Sequence, residues 1–342
     1  MQNSYHYDQA FTLENGGSLP ELHISYHTYG QLDADKSNVV WICHALTASG
    51  DAAGWWDGLV GEGRTIDPAR HFIVCANIIG SCYGSTGPLS IDKTTGAPFH
   101  NSFPLLTIRD MVQAHILLRR HLGIEEIHLL AGGSMGGYQA MEWALAEPQR
   151  IRNLFLLVTS AAESAWGIAI HTAQRLAISA DQSFGTAADN AGAAGLKAAR
   201  AIGMLTYRNP ALMNKQQTDT DTSKTDDFKA STYIQYQGDK LVSRFNAYSY
   251  WTLTKAMDSH NLARGRAASA EAVLQQIAQP VLLVGISSDI LCPPHEQRFL
   301  AQHLPLCRYE EIDSEYGHDG FLVESEQVGQ RLQNWLEGLT GA

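Results

Sequence analysis

Gly132-Gly133-Ser134-Met135-Gly136 follows the apolar run Ile127 to Ala131 and leads into Gly137 to Ala144, whose spacing suits a helix. A serine hydroxyl becomes a nucleophile when an imidazole takes its proton and a sharply turned backbone presents its Oγ. G-x-S-x-G between a strand and a helix meets the second need, because glycines let strand and helix approach where a Cβ would collide. Five residues of this kind also suit a plain glycine-rich turn, so the case rests on whether an acid and a base follow downstream.

Both do, in the order Ser, Asp, His that α/β-hydrolase folds use. Pro280 to Gly285 is an unbroken apolar run of strand length, and Asp289 sits just past its carboxyl end. Open parallel sheets place their reactive groups there. A further strand, Arg308 to Ile312, leads into a loop in which Gly317 and Gly320 frame His318-Asp319. His318 is the expected general base and Asp289 the group that holds its tautomer and steadies the imidazolium. Each has an ordinary alternative: Asp289 as a turn former ahead of the helix that Pro293-Pro294 begins, His318 as one of fourteen histidines. Asp313 is a rival acid, but it follows the wrong strand. His318 stands above His121, His171 and His303 because it follows the last strand, in a glycine-framed loop.

The remaining need is a pair of amides for the oxyanion, one after the nucleophile and one in the loop after an earlier strand. Asn38 to Cys43 is that strand and His44 to Gly50 its loop, so the amides of Leu46 and Met135 are the candidates. His44 precedes the serine, and its loop already has this role.

These groups need a scaffold. Leu22 to Tyr29 alternates like an early antiparallel strand, and His71 to Asn77 is a further one. Thr107 caps a helix whose inner face carries Ile108, Met111, Val112, Leu118 and Leu122. Ile151 to Thr159 is another buried strand. The alternation implies an α/β fold with a mostly parallel sheet covered on both faces. Between about 163 and 268 the rhythm breaks into alanine-rich helical stretches (168–180, 191–205 and 248–257) around the polar run 215–227, which reads as a solvated or mobile loop. The expected organisation is an α/β-hydrolase core of 1–162 and 269–342, with 163–268 inserted as a helical lid. A helical dimerisation module is the other use for such a segment, and the two are compatible. A closing helix is expected from about Glu324 to Leu336.

Bulk properties bound the partners. The 342 residues carry a net charge of −11, which disfavours nucleic acid or an anionic membrane surface. No stretch is apolar enough to span a bilayer, and the first residues lack a signal-peptide pattern. Five cysteines without a C-x-x-C pair suit a reducing cytoplasm. Cys43 and Cys75 fall inside apolar strands, where a thiol behaves as a small hydrophobe. Zinc-site spacings and phosphate-loop motifs are absent from the sequence, so neither a metal nor a resident cofactor is expected.

Several longer stretches narrow the field. Cys43-His44-Ala45-Leu46-Thr47, Gly54 to Gly61, Cys75 to Pro88, Gly132 to Gly137, Ala199 to Arg208 and Tyr316 to Leu322 resemble the homoserine O-acetyltransferases of methionine biosynthesis. The Cys82-Tyr83-Gly84-Ser85-Thr86-Gly87-Pro88 segment is far more specific than G-x-S-x-G, and the similarity spans nearly the whole chain. The resemblance implies acetyl transfer from acetyl-CoA, as a substrate, to the hydroxyl of L-homoserine through an acetylated Ser134. It also implies that Arg200 and Asp319 hold the amino acid, a guanidinium on the carboxylate and a carboxylate on the ammonium. Arg208 ranks second for the carboxylate. A homodimer joined through the lid is a further implication. The chain departs from longer family members in the short segment between Thr47 and Trp55-Trp56 and in the polar run 215–227. The same scaffold serves succinyl transfer to homoserine, acyl transfer to serine and plain esterases, which remain the alternatives.

Overall fold

The central strands form where the sequence carries unbroken or nearly unbroken apolar runs. The computed structural model describes residues 2–340, and among them the main sheet has eight strands: β1 (Gln2–Tyr7), β2 (Leu22–Tyr29), β3 (Val39–Cys43), β4 (Phe72–Ala76), β5 (Leu129–Gly133), β6 (Leu154–Leu157), β7 (Val281–Ile286) and β8 (Cys307–Ile312). Their order across the sheet is β1-β2-β4-β3-β5-β6-β7-β8. β2 runs antiparallel to both neighbours, with Ser4 opposite Ser25 and His27 opposite Cys75. All later pairings are parallel.

Every residue of β3, β5, β6 and β7 is buried, as expected for strands covered on both faces. Successive residues point to opposite sides: Trp41 packs into one hydrophobic cluster and Ile42 into another. On the first side Trp41 meets Trp143 edge to face, with ring centroids 5.0 Å apart. On the other, Phe155, Val284 and Trp335 join Ile42. Burying each such side chain contributes about 1.5–3 kcal/mol.

Helices cover these faces. α1 (Ile108–His121) starts at Thr107, whose side chain accepts from the Asp110 amide while Asp110 reaches back to the Thr107 amide. This box satisfies amides that the first turn leaves unpaired. Leu122 is the helix's C-cap and only partly buried. α2 (Met135–Ala146) follows the serine directly.

Between β6 and β7 the chain builds five longer helices among the described residues: α3 (Ala165–Ser179), α4 (Ala193–Tyr207), α5 (Pro210–Gln217), α6 (Lys229–Val242) and α7 (Ala247–Asp258). Side-chain caps at Ser164, Asn209 and Asn246 start three of them. α5 and α6 were not expected from sequence. Lys215–Gln217 of the polar run close α5, while 218–227 carry neither helix nor strand and are largely exposed. α8 (Pro294–His303) and α9 (Ser325–Thr340) complete the layers. Among the described residues, no helix is long and apolar enough to cross a membrane.

Candidate active site

The turn from β5 to α2 holds Ser134 at φ 55°, ψ −125°, a region that costs a non-glycine residue of order 1–3 kcal/mol. The neighbourhood enforces it. The Ser134 amide donates to the Leu157 carbonyl at 2.9 Å, and Thr159 Oγ1 donates to the Ser134 carbonyl at 3.0 Å. The turn is also too tight for side chains at its glycines. A Cβ on Gly132 would lie 2.2 Å from the Gly136 carbonyl oxygen, and one on Gly136 2.1 Å from that of Cys43.

Sheet topology then delivers the partners. Asp289 lies three residues past β7 and His318 in a short 3-10 turn after β8. His318 Nε2 is 2.9 Å from Ser134 Oγ, and His318 Nδ1 is 2.7 Å from Asp289 Oδ2. The other Asp289 oxygen accepts from the amides of Leu291 and Cys292 at 2.8 and 3.0 Å. All three side chains are buried. Burial disfavours the His318 imidazolium, but the charge and hydrogen bond of Asp289, with Asp319 and Glu163 adding to them, raise its pKa above the ordinary value. The rival acid Asp313 is engaged elsewhere, accepting from Ser287 Oγ at 2.7 Å.

His44 is part of the frame. Its Nε2 accepts from the Ile78 amide at 3.1 Å, its Nδ1 donates to the Ala45 carbonyl, and burial pushes its pKa down to about 4. Gln139 Nε2 donates to the carbonyls of His44 and Met135 at 3.1 and 3.2 Å. This ties the β3 loop to the first turn of α2. Leu46, in that loop, lines the same cavity as Ser134. Met135 is the first residue of α2, and first-turn amides have no partner inside their own helix.

The cavity over Ser134 has a volume of about 560 Å³, within the usual range for small-ligand sites. α3 and α4 form part of its wall, contributing His171, Gln174, Arg200 and Tyr207. The Arg200 guanidinium lies 5.2 Å from the Tyr207 ring centroid, and its buried Nε has no hydrogen-bond partner. Asp319 faces Arg208, whose Nε approaches Asp319 Oδ2 to 3.3 Å without the alignment of a hydrogen bond. Burial raises the Asp319 carboxyl pKa, and Arg208, His318 and Arg200 offset part of that rise. Arg208 is therefore the carboxylate's present partner, a relationship that sequence spacing did not suggest. His171 is bonded to Asp258 at 2.9 Å.

Tyr83, Gln174 and Arg244 also line the cavity; Tyr83 lies in the specific Cys82 to Pro88 segment, whereas no local pattern in the sequence marked Gln174 or Arg244. Outside this cavity, His6, Glu21 and His23 bring ligand atoms within 4.8 Å of one another, enough for a metal ion in principle. Lys93 already pairs with that Glu21 carboxylate.

Comparison with known proteins agrees with this architecture. A family model described as the alpha/beta hydrolase fold matches residues 38–325. A homoserine O-acetyltransferase of Cyclobacterium marinum is 46% identical over 334 residues, covering 98% of this chain and 95% of that one. The crystal structure of a homoserine O-acetyltransferase from Bacillus anthracis superposes with a TM-score of 0.90 at 24% identity, covering 97% of each chain. Esterase E22 superposes at 0.87 and 22% identity, over 97% of this chain and 100% of the other, so backbone likeness alone does not separate transfer from hydrolysis. The near-full-length identity does: the chain belongs to the α/β-hydrolase family and, within it, to the homoserine O-acetyltransferases.

Proposed function

We propose that this protein moves the acetyl group of acetyl-CoA to the hydroxyl of L-homoserine in two half-reactions. In the first, His318 Nε2 takes the Ser134 proton as Oγ attacks the thioester carbonyl carbon. The resulting oxyanion is held by the Leu46 and Met135 amides. Collapse breaks the C–S bond, and His318 returns the proton to the departing thiolate, leaving acetyl-Ser134 and CoA. In the second, His318 takes the homoserine hydroxyl proton, the hydroxyl oxygen attacks the acetyl carbon, and the C–Oγ bond breaks. The proton then goes back to Ser134. Asp289 keeps Nδ1 protonated and offsets the imidazolium charge.

The observation that carries this assignment is the opening of the Ser134–His318–Asp289 chain into a cavity shared with Arg200 and Asp319. An amino-acid acceptor needs a cation and an anion beside the nucleophile, whereas a simple ester needs neither. Arg200 would take the carboxylate. Asp319 would take the ammonium by exchanging part of its contact with Arg208. CoA enters as a substrate, with no resident cofactor or metal in the scheme. The inserted helices act as the lid. They would also join two copies, since Trp166, Leu176 and Leu205 on α3 and α4 are exposed apolar groups. The free thiols of Cys43, Cys75, Cys82, Cys292 and Cys307 suit a reducing cytoplasm.

The test is a donor and acceptor panel: acetyl- and succinyl-CoA, each with homoserine, serine or no acceptor, followed by CoA release. Release that depends on homoserine and is fastest with acetyl-CoA is expected. Release indifferent to any acceptor would identify an esterase instead.

A further inference from the structure

Three arginines, Arg200, Arg208 and Arg244, line the cavity that holds Ser134, and no lysine joins them. Two have work already. Arg208 faces Asp319, and Arg200 stands against Tyr207 where the acceptor's carboxylate would sit. Arg244 is left over. It lies just before α7 and is exposed, and among the described residues it makes no ion pair with a carboxylate.

Its position is nonetheless fixed. Nη1 donates to the Thr47 carbonyl and to the Tyr83 hydroxyl. Those oxygens belong to loops after β3 and β4 of the core, while Arg244 belongs to the inserted helices. Leu46, Thr47, Ser134 and Arg244 line the same cavity, and Arg244 is exposed whereas Leu46 and Ser134 are buried. A guanidinium anchored through one nitrogen presents its remaining N–H groups in a set direction, and such a fork suits the oxygens of a phosphate.

We infer that Arg244 binds the phosphate groups of the acyl donor. The nucleotide end of an acyl-CoA docks at Arg244, in water, and the acylated pantetheine arm runs inward beside Thr47 and Leu46 to Ser134. Phosphates keep their hydration at the rim, and the uncharged arm enters the cavity. The chain's net charge of −11 opposes a polyanionic donor at long range, so one local cation at the mouth carries more of its recognition. The inference rests on acetyl-CoA being the donor.

The test uses the first half-reaction alone, without homoserine, read as acetyl-enzyme by rapid quench and intact mass. Acetyl-CoA is compared with S-acetylpantetheine, which has the same thioester and arm but no phosphate. Wild type should prefer acetyl-CoA. Arg244→Gln should lower acetylation efficiency with acetyl-CoA by about 10- to 100-fold, the usual scale for a charge-assisted contact, and affect S-acetylpantetheine far less. Arg244→Lys should restore part of the preference, and added salt should erode it in wild type. The wild-type salt series needs no variant to fold. Equal loss with both donors would reduce Arg244 to a latch on Thr47 and Tyr83 and overturn the inference, as would a preference that survives both substitution and salt. No adduct from either donor would instead remove acetyl-CoA as the donor, and the inference with it.

Discussion

His318 Nε2 stands 2.9 Å from Ser134 Oγ although 184 positions separate the two residues. Nothing local brings them together. Ser134 is placed by the β5–α2 turn and His318 by the loop after β8, with β6 and β7 between those strands in the sheet. The parallel pairings turn carboxyl ends of strands into one rim, and three loops on that rim bring Ser134, Asp289 and His318 together.

In the proposed mechanism Asp289 acts through His318, to which it is bonded at 2.7 Å, so removing its charge while keeping its shape should be severe. Asp289→Asn is expected to cut turnover roughly 10³- to 10⁴-fold, by analogy with the same change in serine proteases, with little loss of folding stability. Steady-state kinetics beside thermal unfolding would check this. A variant retaining a tenth of wild-type turnover would mean that another group orients the imidazole.

How far this arrangement could be read beforehand differs from element to element. Strands β3 to β7 were legible because a strand buried on both faces must be apolar throughout. Gly132 and Gly133 belong to β5, whereas glycine usually signals the end of a strand. β1 escaped notice because QNSYHY alternates only between exposed and half-buried positions at the sheet edge, leaving no hydrophobic period to find. α6 was similarly hidden, since only Gly238 and Leu241 are buried in it. Asp289 and His318 could be picked out from their places after strands. The contacts of Arg208 with Asp319 and of Arg244 with Thr47 could not, because they join segments that only the tertiary fold brings together.

The raised pKa of His318 gives a pH dependence with a definite sign. The base must be neutral to accept the Ser134 proton, so acetylation should rise with pH through a midpoint above the ordinary histidine value of about 6.5. Stability runs the other way. A folded pKa above the unfolded one contributes stability that is complete below the unfolded value and lost as pH rises through the folded value. Asp319 is one of the charges raising His318, so Asp319→Asn should move the acetylation midpoint down. A pH profile of the first half-reaction measures both, and a wild-type midpoint at or below the ordinary value would contradict the electrostatic account.

In the proposed mechanism Arg200 and the acceptor's carboxylate meet only in the second half-reaction. Arg200→Ala should raise the homoserine KM by roughly 10- to 100-fold, the scale of a charge-assisted pair, and change acetyl-enzyme formation much less. Parallel measurement of the two half-reactions decides it. Equal loss in both would place Arg200 in the frame of the cavity and not in acceptor binding.

At Gly136 the first turn of α2 lies against Cys43, the last residue of β3. Gly136→Ala would put a Cβ 2.1 Å from the Cys43 carbonyl oxygen and 3.0 Å from its carbon. Backbone atoms cannot rotate away, so the helix start must move. A loss of about 1–3 kcal/mol in urea unfolding is expected, the range for an overpacked core. The Met135 amide would shift with it, so activity should fall further than stability.

The covalent intermediate tests the central claim most directly. Wild-type protein mixed with acetyl-CoA and quenched should gain the mass of one acetyl group, mapped to Ser134 by peptide sequencing. A chase with L-homoserine should remove it and yield O-acetyl-L-homoserine. Ser134→Ala should gain nothing. An acetyl group that persists on Ser134→Ala, or one on wild type that leaves at the same rate with and without homoserine, would contradict transfer through Ser134.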